Sequence, residues 1–487
     1  MMQEMGEAAR TSGEWKRIAI AVAIFAALSL LAGALSEGFL EADACTHYMY
    51  ARFALKEPYL LANVWGRPLC TGIYAIPAAI AGRHGVQFTS LLLAIACAFI
   101  AREIVLRENA SLLFDNASAG WDAAKRSRIA TLAFVFVLAQ PLVFFHSFSE
   151  LTELPFAALL GVTFLLYQRR RWFWLALVAG FLPLGRPEGF GFVLLAALAL
   201  LINRKWWWIP LCAIGVILWD VGGWLLTGRQ GEMIVWLRDN WPYAAESVYD
   251  RKSIFHFVML LPAVVSPFIF PAMVIGLARI IRDRSRWVIA AIPLLILVVH
   301  SILTATGKMA SSGEVRYMLV AAPFWGVLAA QGWEWLAERL QWRHVYRTAA
   351  IAALFPVLLN NRGGIGPVRF GYKVLPLHFS ANWIAARNVA KWVAASDLRK
   401  TYPKLMASDT AVYYFLDESP SGKASREWSK AVIDQAPPDT TLIWERESAM
   451  FNADVKRIVP LEEIRAAGWV EVPSHIGPDW HVFRSPG

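Results

Sequence analysis

The sequence predicts a mainly α-helical, polytopic transmembrane bundle followed by a small C-terminal α/β domain. Three observations carry this. The 487 residues are 57% hydrophobic and 17% charged, with a mean hydropathy of +0.44, whereas soluble chains are about half apolar and a quarter charged. The apolar residues fall in blocks separated by short, arginine-rich loops. Beyond about residue 360 that alternation stops and the chain reads as a soluble domain. The expected division is a transmembrane region over 1–361, a linker over 362–380 and the soluble domain over 381–487.

A crossing needs about 20 apolar residues to traverse about 30 Å of hydrocarbon. The first runs from Ile18 to Leu35 behind Lys16 and Arg17, which sets the N-terminus in the cytoplasm. A long outer loop follows, roughly 36–85, within which Leu69–Ala81 is apolar but too short to span and reads as an interfacial helix. The second span, Val86–Ala101, returns to Arg102 and Arg107. The third leaves from Arg128 and reaches Phe145, and the fourth runs from Leu154 back to Arg169-Arg170-Arg171.

The fifth and sixth, Trp172–Gly185 and Gly189–Ile202, are short arms around one polar turn. The seventh, Trp206–Leu226, leads to an outer loop ending near Lys252. The eighth returns to Arg279, Arg282, Arg284 and Arg286, and the ninth reaches Thr304. The tenth runs from Tyr317 to Arg339, and the eleventh ends near Asn360. Every return ends on arginine, as the positive-inside rule requires. About eleven crossings place the C-terminal domain outside the cytoplasm, and a bacterial inner membrane is the expected location.

Past the linker, Ala381–Ser396 reads as an amphipathic helix. Strand-like runs follow at Leu405–Ala407, Val412–Leu416, Thr441–Trp444, Trp469–Val472 and His481–Phe483.

The net charge of +10 sits beside apolar blocks rather than in a basic stripe with interleaved aromatics, so no nucleic-acid partner is expected. Many of the 23 tryptophans flank apolar blocks, as at Trp206-Trp207-Trp208, in the manner of an interfacial belt. None of the four cysteines has metal-ligand spacing. Cys45 and Cys70 share the first loop, where a disulfide is one option, while Cys97 and Cys212 lie in apolar helices. The sequons at Asn109 and Asn116 fall in a cytoplasmic loop and read as accidental.

Charge in or beside apolar segments is costly and therefore informative. Glu41-Ala42-Asp43, with His47, follows the first span; a carboxylate there can accept a hydroxyl proton, or the segment is an ordinary acidic loop. Arg186 and Glu188 occupy the turn between two arms of about 14 residues, each about 21 Å of helix, so the turn lies below the membrane surface. Arg186 there suits a phosphate held with the help of Glu188, or a structural pair tying a hairpin. Lys308, with Glu314, Arg316 and Tyr317, brings cations to the same face at the start of the tenth span; the bland alternative is snorkelling. His146, Glu150 and Glu153 form a short acidic turn that also fits a plain helix start. Asn240-Trp241-Pro242-Tyr243 offers aromatics for a sugar or for the interface, and His300 reads as an interhelix hydrogen bond.

This layout resembles the GT-C glycosyltransferases. Glu41-x-Asp43 resembles their first-loop acidic motif, and the Arg-Pro-Glu-Gly turn, the Glu-x-Arg-Tyr start of a late span and a small external C-terminal domain are similar to features of that superfamily. The resemblance implies a mannosyltransferase-like, inverting hexosyltransferase that takes a polyprenyl-phosphate-linked sugar in the membrane lipid and gives it to a hydroxyl of a glycan, lipid or protein acceptor at the outer face. It implies Asp43 as general base with Glu41 as the alternative, and Arg186, Arg316 and Lys308 as phosphate ligands. His47, Glu188, His146, Glu150, Glu153, Glu314 and Tyr317 are candidate supports. No second Asp-x-Asp loop follows, only the Glu150/Glu153 turn, which leaves a divalent cation unsupported and any metal unknown. The competing readings are a transporter or flippase of a lipid-linked sugar, against which no internal repeat is visible, and a non-catalytic scaffold.

Overall fold

The computed structural model describes residues 2–107, 123–341 except 230, 244, 248 and 283–285, and 375–486 except 421–427, 451–457 and 475–476; between these, 344, 348, 364–365 and 368–369 are described. The expected eleventh span and both sequons lie outside the described residues.

The bundle begins with α1 (Met2–Leu35), α2 (Ala42–Phe53), α3 (Pro68–Leu106) and α4 (Ala123–Leu138). Short helices α5 (Pro141–His146), α6 (Glu153–Gln168), α7 (Trp172–Gly180), α8 (Leu182–Gly185) and α9 (Gly189–Ile202) follow. Then come α10 (Ile214–Leu226), α11 (Trp236–Asp239), α12 (His256–Val265), α13 (Phe270–Arg282), α14 (Trp287–Thr306) and α15 (Ala322–Leu340). Among the described residues, 4 helices are long and apolar enough to cross a membrane, or 5 if α12 and α13, bent by 114°, form one span. Trp206–Leu226 is one of the four, beginning in 3₁₀ form before α10, whereas other apolar runs are broken into shorter helices, as where Pro141 opens α5 after α4 has ended.

α3 is 39 residues long and breaks at Ala81 and Gly82, between the short apolar segment and the second span. Gly82 takes φ +58, a value open to glycine, which turns the helix without strain. α13 and α15 cross so closely that a Cβ on Gly276 would lie 1.8 Å from the Leu328 carbonyl oxygen, and one on Gly332 the same distance from that of Ala272. Small residues at such a crossing replace hydrophobic driving force with close van der Waals contact.

Two short strands, β1 (Gly364–Ile365) and β2 (Val368–Arg369), pair antiparallel in the linker. Beyond them, β3 (Lys404–Ala407), β4 (Thr440–Glu445), β5 (Val470–Val472) and β6 (Trp480–Arg484) form one sheet in the order β3-β4-β6-β5, with β3 and β4 parallel and the other pairs antiparallel. The helix Ala381–Ala395 lies where the amphipathic pattern put it. Val412–Leu416, expected as a strand from its aromatic and branched residues, belongs instead to the helix Thr410–Leu416. Asp409 caps that helix by accepting the Ala411 amide at 2.8 Å, and the cap outweighs strand propensity.

This C-terminal region packs on α2 and the first half of α3 in one shared core that includes Tyr48, Met49, Tyr74, Val389, Val412 and Val482. Phe39 sits between the two, 5.1 Å from the Trp383 ring and 5.0 Å from that of Tyr414. Polar contacts lock the seam: Arg52 pairs with Asp417 at 3.3 Å, and the Thr46 hydroxyl bonds to that of Thr410 at 3.0 Å. All four cysteines are free and buried, so Cys45 and Cys70 are not bridged; the Cys70 thiol donates to the Gly185 carbonyl at 3.5 Å instead.

Candidate active site

Five chain turns meet at one end of the bundle. Glu41 and Asp43 open α2, where acidic side chains suit the positive end of the helix. Thr152 precedes α6, and Glu153 is its first residue. Arg186 lies between α8 and Pro187; the following proline keeps its backbone extended (φ −163, ψ 152), so its side chain leaves the helix line. Arg316 follows Glu314 in the 3₁₀ turn Val315–Ala321 that leads into α15. Arg67 precedes Pro68 at the start of α3.

Glu153 is the hub. It is fully buried, its Oε1 is 2.5 Å from Arg186 Nη1 and 3.7 Å from Arg316 Nη1. Arg316 also pairs with Glu41 at 3.1 Å and with Asp43. Arg186 forks onto Glu188 at 2.9 Å, and Glu188 accepts from His300 Nε2 at 3.1 Å if that nitrogen carries the proton. Tyr317 lies among these groups: the Arg186 guanidinium is 5.5 Å from its ring centre, and the His300 ring stacks on it at 4.8 Å. Two guanidiniums (Arg186, Arg316) therefore pair with four carboxylates (Glu41, Asp43, Glu153, Glu188), and Arg67 stands beside them within electrostatic reach of Asp43 and Glu153. Buried ions are tolerable only when paired in this way.

Asp43 is the member of the cluster most open to solvent. Its side chain is 41% exposed, against 8% for Arg316 and none for Glu153. Desolvation pulls its pKa up, but the Arg316 charge and hydrogen bond outweigh that and hold the carboxyl below its ordinary range. His47, four residues on, stacks on Trp65 at 4.5 Å, and burial assisted by Arg67 pushes its pKa down to about 3, so it is a neutral imidazole.

The acidic turn divides. Glu153 enters the cluster, whereas Glu150 turns away to Arg83 at 3.1 Å. Burial pushes the Glu150 pKa up to about 7 despite that arginine. Arg83 also donates to the carbonyls of Glu37 at 2.9 Å and Gly38 at 2.6 Å, bracing the segment that leads to Glu41. His146 is buried with Nδ1 2.8 Å from the Leu142 carbonyl oxygen, within electrostatic reach of Glu153 and Glu41. Glu314 lies near Tyr249, whose pKa is pushed up to about 12 by burial first and by Asp43 next. Lys308 is not brought to the cluster: it is half exposed and pairs with Glu246 across an isolated bridge.

Arg67, Thr152, Arg83 and Trp65 were not singled out from the sequence as site residues. Arg67 donates to the Thr152 hydroxyl and, at 3.2 Å, to that of Tyr243. Its backbone takes φ 64, which costs a non-glycine residue about 1–3 kcal/mol. One signal was available: the tripeptide Gly-Arg-Pro occurs at Gly66-Arg67-Pro68 and again at Gly185-Arg186-Pro187. Among the described residues no group of three His, Cys, Asp or Glu side chains is arranged to hold a metal ion; the carboxylates are committed to guanidiniums.

No family model matches the chain, and no curated protein matches it. Solved structures do share its fold. ArnT from Cupriavidus metallidurans bound to undecaprenyl phosphate superposes with a TM-score of 0.58 at 14% sequence identity, covering 96% of this chain and 97% of that one. The same protein in the apo state gives 0.58 and 14%, covering 97% and 98%. The likeness is one of fold, and it extends over nearly the full length of both chains.

Proposed function

We propose that this integral membrane protein transfers a sugar from a polyprenyl-phosphate donor to a hydroxyl acceptor at the outer face of the membrane. The observation that carries the reading is the line of ion pairs that joins Asp43 to Arg316, Arg316 to Glu153 and Glu153 to Arg186, from segments far apart in the chain. The fold shared with a protein that binds undecaprenyl phosphate supports the donor class.

In this reading the acceptor oxygen attacks C1 of the sugar and the C1–O bond to phosphate breaks. The polyprenyl phosphate leaves with the bonding pair, and the acceptor proton passes to Asp43, with Glu41 as the alternative base. A single displacement inverts C1. Phosphate is a weakly basic leaving group, so it needs positive charge more than a proton. Arg316 supplies that charge, with Arg186 behind it. While Arg316 holds Asp43 the carboxylate is a poor base; a donor phosphate competing for Arg316 loosens the pair and raises the basicity of Asp43 as the donor seats. The exposed Lys308–Glu246 pair is left without a part in the reaction. The C-terminal region, packed on α2, is read as an extracytoplasmic domain that fixes the helix carrying the base.

The test is transfer from a radiolabelled polyprenyl-phosphate sugar by the purified protein in liposomes. The expected result is transfer by the native chain and none by Asp43→Asn at equal insertion. Full activity in that variant removes Asp43 from the mechanism. Movement of the lipid-linked sugar across the bilayer without transfer would establish a flippase instead.

A further inference from the structure

The three arginines of the cluster are not equivalent. Arg186 has both ends of its fork on carboxylates, and Arg316 contacts three of them. Among the described residues Arg67 makes no direct ion pair: it hydrogen-bonds only to the neutral Thr152 and Tyr243, its buried Nε donates to nothing, and Asp43 and Glu153 act on it from further off. A guanidinium with a spare donor and no direct ion pair is the member of the cluster with room to take an anion.

What holds it there is Thr152. A threonine before the first residue of a helix ordinarily accepts an amide of the first turn. Thr152 makes no such side-chain cap. It is fully buried, and its hydroxyl oxygen accepts from Arg67 and, at 3.2 Å, from Arg186 Nη1. Both lone pairs are thus given to two like charges that would otherwise repel. Each of those arginines sits in a Gly-Arg-Pro tripeptide, whose proline takes the arginine out of the regular helix path. We infer that Thr152 is a positioning residue, whose hydroxyl registers Arg67 beside Arg186 so that Arg67 can receive the phosphate of the donor lipid. This rests on the donor class proposed above.

The experiment is equilibrium binding of undecaprenyl phosphate to the full-length protein in detergent, alongside donor KM and kcat. Thr152→Val keeps the shape and removes the hydroxyl. It should weaken binding about tenfold, the worth of one charge-assisted hydrogen bond, and raise KM alike. The kcat at saturating donor should stay within about threefold, and Thr152→Ser should restore binding to within about twofold. Unchanged affinity in Thr152→Val, or no recovery in Thr152→Ser, overturns the inference while leaving the proposed activity standing. If the native chain does not bind the lipid, the donor class fails and the inference with it. Should Thr152→Val not accumulate in the membrane, Arg67→Lys carries the test. It keeps the charge but loses the fork, so an affinity like that of the native chain overturns the assignment.

Discussion

The two ends of α6 carry the same kinds of side chain to different effect. At its first residue, Glu153 is completely buried against Arg186 and Arg316. Just past its last residue, about 24 Å away for 16 residues, Arg169 meets Glu103 at 3.6 Å with 42% and 32% of their side chains exposed. Around that second end Lys125 meets Glu338 in another half-open pair, and Arg128, 44% exposed, reaches the buried Glu334. Exposed pairs are screened and exchange freely with water. Buried ones are fixed, and they leave charge poised for a ligand to redistribute. Arginine at one end reads as a marker of topology, and at the other as machinery.

The comparison breaks most sharply on the base. Asp43→Asn should lower transfer by about 10²–10⁴-fold, the usual worth of general-base catalysis, with insertion unchanged, as initial rates in liposomes would show. Next is the buried end itself. Arg186→Gln strands Glu153 and Glu188 and should cost about 3–5 kcal/mol of stability, visible as a large drop in melting temperature. Equal melting would mean the cluster is no more coupled than a surface pair.

A smaller effect separates the two carboxylates of the acidic turn. The Glu150 pKa is raised from 4.5 to about 7 by burial, against the pull of Arg83. The folded state therefore holds a proton that the unfolded state has released. Stability should fall as pH rises from about 4.5 to about 7 and level off above, and Glu150→Gln should flatten that slope in thermal melts. Smallest of all, Arg169→Ala or Lys125→Ala at the open end should change stability by about 0–1 kcal/mol and leave transfer rates alone.

Much of this was legible in the sequence, for identifiable reasons. Arg186, Glu188, Asp43 and Arg316 stand out because a charge beside twenty apolar residues has few innocent explanations. Arg67 did not, since it lies in a mixed loop where an arginine is unremarkable; only its repeated Gly-Arg-Pro context linked it to Arg186. Lys308 looked like a third cation on position alone, but the nearby Glu246 takes it at the surface. The strand expected over Val412–Leu416 failed for a local reason, the Asp409 cap. The number of crossings is not readable from helix lengths, since α12 and α13 bend by 114° and the arms around Arg186 are short.

The packing of α2 against the C-terminal region has a consequence for how the chain is made. Asp43 is synthesised long before the region it packs against: Thr46, a turn along the same helix, bonds to Thr410, 364 residues later. At about 5–20 residues per second a ribosome needs about 20–70 s to cover that interval. Throughout it, the helix bearing the candidate base lacks its partner. The candidate site is therefore completed only once residue 410 has been made, so a chain released just before that point would hold every residue of the cluster and still lack the packing that fixes its candidate base.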